Sequence, residues 1–143
     1  MSFRDTTLKN IAKHGVQLVG VIDTQPGFTY TIGLTAKFGF EIIIVGLPFQ
    51  YAGQILNKIA AQDLPPDLGV PNAEYTNLPV LFKECNASMG PLHGEFVCQA
   101  DNFYGKKVRV VQLVMCDRAG RFPGHSEFDH DYMDPRQRLF CDF

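Results

Sequence analysis

Apolar positions along the chain change their spacing several times, and each change marks an element. Leu8, Ile11 and Ala12 follow helical spacing and predict a short helix over residues 6–13. Asp5 or Thr6 would cap its start, Gly15 would break its end, and His14 would sit beside the last carbonyls. Over residues 16–22 the spacing drops to two, with Val16, Leu18, Gly20 and Ile22 on one side of a strand. Asp23-Thr24-Gln25-Pro26-Gly27 has the composition of a turn, and residues 28–34 return as an antiparallel second strand. After a short connection at 35–39, residues 40–47 form a third strand. Its centre, Ile42-Ile43-Ile44-Val45, is apolar without alternation, the mark of burial on both faces.

Pro48 suits the first position of a helix, and Ala52, Ile55, Leu56, Ile59 and Ala60 give that helix one apolar stripe. Asp63-Leu64-Pro65-Pro66 ends it, and residues 63–77 are polar and proline-rich enough for a surface loop. A strand is predicted at 78–85, a helix at 93–104 and a strong strand at 107–116, followed by a turn at 117–120 and a polar tail. The order is α-β-β-β-α-β-α-β. Three strands in succession exclude a simple βαβ repeat. They predict an α+β fold: a mostly antiparallel sheet, or a small split β-barrel, with two to three helices packed outside. No repeat or linker divides the 143 residues, so one domain is expected.

Composition narrows the partners. Hydrophobic residues at 45% and charged residues at 20% suit a packed core and argue against disorder. A net charge of -2, with Lys106, Lys107 and Arg109 as the one basic cluster, gives no footprint for nucleic acid. The longest apolar stretch, 42–47, is too short to span a membrane. Cys85, Cys98, Cys116 and Cys141 form no CxxC pair, and MSFRDTTLKN lacks the apolar run of a secretory signal. Free thiols in a reducing cytoplasm are therefore expected.

Two passages carry a resemblance. HGVQLVGVIDTQPGFTYTIGLTAKFGFEIIIVGLP, running on to ILNKIA, and VRVVQLVMCDRAGRFPG together resemble a domain-of-unknown-function family, DUF4262, found in bacteria and phages. The anchors are His14-Gly15, Tyr30 to Leu34, Gly46 to Pro48, and Gln112, Asp117 and Gly120 to Pro123. One departure is Phe40-Glu41, where the family commonly has proline-glutamate. The resemblance implies a shared fold and no settled activity. A hairpin, an apolar strand and a helix in succession are also similar to the flavin-reductase type of FMN-binding split barrel, at the level of fold alone.

Several residues are candidates for chemistry. In the strand 28–34, Tyr30, Ile32 and Leu34 share one face and Thr31 and Gly33 the other. A small face bearing one hydroxyl lets a flat ligand approach the backbone, which makes Tyr30, Thr31 and Gly33 candidate contacts. The competing and preferred reading is structural: Gly33 marks a bulge or bend while the large residues fill the core. Arg121 could grip a phosphate or carboxylate in a bidentate fork, with Asp117 orienting it and Phe122 beside it. A salt bridge closing the turn explains the same residues equally well. In an extended tail His125, Glu127, Asp129 and Asp131 point one way, with His130 between them. Such side chains suit a divalent metal, His125, Asp129 and His130 above all, but no metal-binding spacing is matched and a solvated tail is preferred. His93 has no partner visible in the sequence. Cys85 and Cys116 adjoin Glu84 and Asp117, whose charge disfavours a thiolate, Cys98 falls inside a predicted helix, and inert packing is preferred for all four thiols.

GxSxG, GxGxxG, P-loop and HExxH patterns are absent, so whether the chain is an enzyme stays open. Three functional readings follow. The first is a small module binding an anionic or nucleotide-like molecule beside strand 28–34 and the Arg121 turn. The second is an FMN-dependent oxidoreductase on a split barrel, as a homodimer. The third is a phage or host protein-interaction factor without catalysis.

Overall fold

The run of four apolar residues lies in the middle of a sheet, covered on both sides. Ile42, Ile43, Ile44 and Val45 are all fully buried. At about 1.5–3 kcal/mol per buried side chain, they supply on the order of 10 kcal/mol of gross driving force. This computed structural model describes residues 2–86, 88–89 and 91–143. Strands β1 (Gln17–Val21), β2 (Phe28–Ile32), β3 (Glu41–Val45), β4 (Val80–Glu84) and β5 (Val110–Met115) form one sheet in the order β1-β2-β3-β5-β4. All neighbours are antiparallel except β3 and β5, which run parallel with Glu41 opposite Val110 and Ile44 opposite Leu113. Of the two expected forms the open sheet is the one realised. β1 and β4 stand at opposite margins, so the barrel alternative is set aside.

Alternation along the strands sorts side chains to two layers. Ile42, Ile44, Val111 and Leu113 meet helix α3 (Phe49–Ala60) through the stripe Ala52, Ile55, Leu56 and Ile59. Tyr30, Ile32, Ile43, Val45 and Val110 face the other way. There they meet a π-helical turn (Leu92–Phe96), helix α4 (Cys98–Tyr104) and Phe140 of the tail.

Helix α1 (Phe3–His14) begins earlier than the spacing predicts, because the Ser2 hydroxyl accepts from Asp5 N at 3.0 Å and takes the capping role given to Asp5 or Thr6. Gly15 closes it in the left-handed conformation (φ 84°), as expected. Pro48 precedes α3 rather than opening it, since its ψ of 144° is extended. The helix foreseen at 93–104 is two pieces that meet at the buried Val97. β2 ends at Ile32 because Gly33 takes φ 122°. The reversal sends Leu34 to the α3 layer, away from Tyr30 and Ile32. The connection 35–39 contains one helical turn, α2 (Thr35–Phe38).

The largest correction concerns the tail. It is not a solvated polar segment: Phe128, Met133, Gln137, Phe140 and Cys141 are buried, and α5 (His130–Met133) forms within it. Two glutamine side chains hold it down. Gln112 donates to Arg138 O at 2.7 Å and accepts from Phe140 N at 2.8 Å. Gln137 accepts from Met115 N at 3.1 Å and donates to Met115 O at 3.0 Å. Each carboxamide supplies the pair of bonds that a neighbouring strand would supply, so the segment needs no regular pairing of its own.

Candidate functional site

The residues proposed from strand 28–34 belong to the interior. Tyr30 is 1% exposed, and burial pushes its hydroxyl pKa well up. Thr31 Oγ1 donates to Glu41 Oε1 at 2.8 Å and accepts from Ile42 N at 3.0 Å. Gly33 N donates to the Tyr104 hydroxyl at 2.9 Å, and that hydroxyl donates to Glu41 Oε2 at 2.8 Å. Glu41, fully buried, also accepts from Leu34 N, Thr35 N and the Thr35 hydroxyl. Burial first, then the Glu41 charge, pushes the Tyr104 hydroxyl up to about 12. A Cβ on Gly33 would come within 3.0 Å of Ile11, so this glycine admits the close approach of α1.

Asp117 and Arg121 do meet. Asp117 Oδ1 accepts from Ala119 N and Arg121 N, both at 2.9 Å, and Oδ2 accepts from Arg121 Nε at 3.1 Å and Asp129 N at 3.0 Å. Burial alone would raise the Asp117 carboxyl, but the bonds from Arg121 N, Asp129 N, the Arg121 side chain and Ala119 N hold it at about 2. Arg121 also reaches Glu127 at 3.2 Å, so internal carboxylates take both sides of its fork. Phe122 packs against Leu81, Val114 and Cys141.

The metal candidates serve their own turns. His125 Nδ1 accepts from Glu127 N, Asp129 caps α5 through Tyr132 N, and His130 lies 3.3 Å from Asp134. Among the described residues no group of three or more His, Cys, Asp or Glu is placed to hold a metal. His93, which the sequence leaves without a partner, has Asp101 at 2.8 Å, a contact between two helical pieces that spacing does not reveal. Burial, ahead of the neighbouring carboxylates, raises the Cys85 and Cys116 thiols, and burial brings Cys141 up to about 11. These three are thiols rather than thiolates at neutral pH.

The structure also forms a cleft that the sequence does not announce. Its floor is the carboxyl end of the parallel pair: Gly46 and Leu47 after β3, and Met115, Cys116 and Asp117 at the end of β5. Open sheets with parallel strands commonly present ligand crevices at this place. One wall is the segment 76–80 with Tyr51 of α3, and the other is Tyr132, Met133 and Arg136. The volume is about 450 Å³. Gly46 makes the second wall possible. It has φ 100°, and a Cβ there would lie 1.8 Å from Arg136 O.

Two cations stand at this cleft. The guanidiniums of Arg118 and Arg136 lie 4.1 and 3.7 Å from the centroid of the Tyr132 ring, a stacking geometry in which each is attracted to the aromatic face. The nearest carboxylate to Arg118 is Asp129, at a loose 3.8 Å. Among the described residues no carboxylate pairs with Arg136. Sequence reasoning missed this trio because its members are 18 residues apart from first to last and share no element period. The cue was a run of arginines around one tyrosine in the final third of the chain.

An open mixed sheet with helices packed on it and a cleft at the ends of its parallel strands makes this a small α+β protein. The model of the family Domain of unknown function (DUF4262) matches residues 10–129, and the chain belongs to that family. No curated protein and no solved structure matches the chain. Gly46, Leu47 and Asp117, from the segments that carry the family likeness, line the cleft.

Proposed function

We propose that the chain is a binding domain whose cleft takes a small anionic molecule, with Arg118 and Arg136 supplying the charge. The observation that carries this reading is the pair of guanidiniums drawn to one tyrosine ring at the cleft, with Arg136 unmatched by any carboxylate among the described residues. Among the described residues neither guanidinium is held by a close carboxylate, so a bound anion would gain charge-assisted hydrogen bonds from them. The site therefore moves from Arg121, whose fork is engaged by Asp117 and Glu127, to the two arginines that line the cleft. The flavin reading rested on a barrel frame, and with an open sheet it has no support.

A thermal-melting panel of inorganic phosphate, simple carboxylates and nucleotides tests the proposal. An anion at about 100 times its dissociation constant should add about 2.7 kcal/mol of stability. Arg136→Ala, at an exposed position, should abolish the shift while lowering the unliganded melting temperature by only a few degrees through the lost stacking on Tyr132. A panel without any shift, or a shift that survives Arg136→Ala, overturns the assignment.

A further inference from the structure

We infer that the occupant of this cleft is an apolar body carrying one anionic group, an acyl or aryl carboxylate or phosphate, and not a nucleotide read through its base. This rests on the proposed anion site and adds what lies beyond the anion. Besides the arginines the cleft is lined by Leu47, Leu78, Val80, Met115 and Met133. Reading a base requires unspent donors and acceptors that match its edge. Two polar side chains of the lining are already engaged. Asp117 accepts four hydrogen bonds, and Thr76 donates its hydroxyl to Leu78 O. Tyr51 and Asn77 also line the cleft and are exposed, where water competes for their donors and acceptors.

An apolar lining that also carries two cations selects an amphipathic anion. The charge stays at the guanidiniums while the body leaves water. A volume of about 450 Å³ suits such a molecule, since small-ligand sites commonly span about 300–1,000 Å³. Met115 and Met133, unbranched and adaptable, let the lining follow bodies of different shape.

The experiment is displacement of anilinonaphthalene sulfonate from the full chain by butyrate, hexanoate, octanoate, octanol and adenosine monophosphate. Affinity should rise about fourfold per added methylene from butyrate to octanoate, the equivalent of about 0.8 kcal/mol. Octanol should bind at least about tenfold more weakly than octanoate, and Arg136→Ala should bring octanoate down to the octanol value. Leu78→Asp, at a position 45% exposed and so tolerant of change, should flatten the chain-length dependence. Arg136-dependent binding of adenosine monophosphate with a flat carboxylate series would overturn this inference and leave the anion site standing. Equal binding of octanol and octanoate would overturn the anion site itself. Failure of every probe to compete would overturn both.

Discussion

Glu41 is a carboxylate with no exposure, and among the described residues no Lys or Arg pairs with it. Its two oxygens share five donors: two backbone N–H groups, two threonine hydroxyls and the Tyr104 hydroxyl. Such charge-assisted bonds replace lost hydration and fix the turn after β2 against the start of β3 and the end of α4. Each oxygen takes one backbone donor, Leu34 N on Oε1 and Thr35 N on Oε2. A carboxamide in either orientation therefore sets its own N–H₂ against an immovable N–H. Glu41→Gln should cost about 2–4 kcal/mol and lower the melting temperature by about 8–15 °C. A drop of less than a couple of degrees in a calorimetric scan would refute the account. In the sequence Glu41 is a single charge at the head of an apolar run, and nothing local says that Thr31, Thr35 and a tyrosine 63 residues later converge on it.

The element that most repays attention is the C-terminal segment, because it builds one wall of the cleft and closes one layer of the core. Its attachment depends on side-chain amides. Gln137 serves Met115 as one residue of an added strand, and Gln112 holds Arg138 and Phe140. Removing the Gln137 carboxamide leaves the Met115 N–H and C=O without these partners, at about 1–3 kcal/mol. Gln137→Ala should accelerate amide exchange over residues 130–141, read by mass spectrometry, and weaken cleft binding by displacing Met133 and Arg136. Unchanged exchange in that stretch would show that apolar packing of Phe140 alone anchors the segment. Gln112 is legible as an inward position of β5, but its partners are not, because periodicity gives a side chain's face and never the distant backbone it meets.

At the scale of the whole molecule, acid provides a measurable signature. The Asp117 carboxyl is held at about 2 in the fold against an ordinary 3.8. Between those values the unfolded chain binds a proton that the native chain does not, so acid favours unfolding there. The stabilisation from this group is complete above the ordinary value and lost as pH falls through the folded one. Asp117→Asn sets an amide against the same backbone donors. It should be less stable than the native protein near neutral pH, with the gap narrowing as pH falls from 3.8 to about 2 in denaturant titrations. A gap independent of pH across that window would contradict the linkage. Much of the architecture was legible: the hairpin, the doubly covered β3, the amphipathic α3 and the inward face of β5 follow from period and composition. The parallel pairing of β3 with β5 was not, since a strand's residues do not encode its partner's direction. Nor was the cleft, whose parts come from residues 46–47, 51, 76–80, 115–118 and 132–136.

The two margins of the sheet are treated differently. Beyond β4 the chain adds its own backbone, with Gly69 N donating to Phe82 O and Asn72 exchanging both bonds with Val80. Beyond β1 no strand follows among the described residues. Fibrous stacking of sheets end to end requires two open margins per copy, and among the described residues this fold leaves one without a backbone partner. Pairing of β1 with β1 across a two-fold axis would consume the open margin of both copies at once, so association by this route terminates at a pair and cannot propagate.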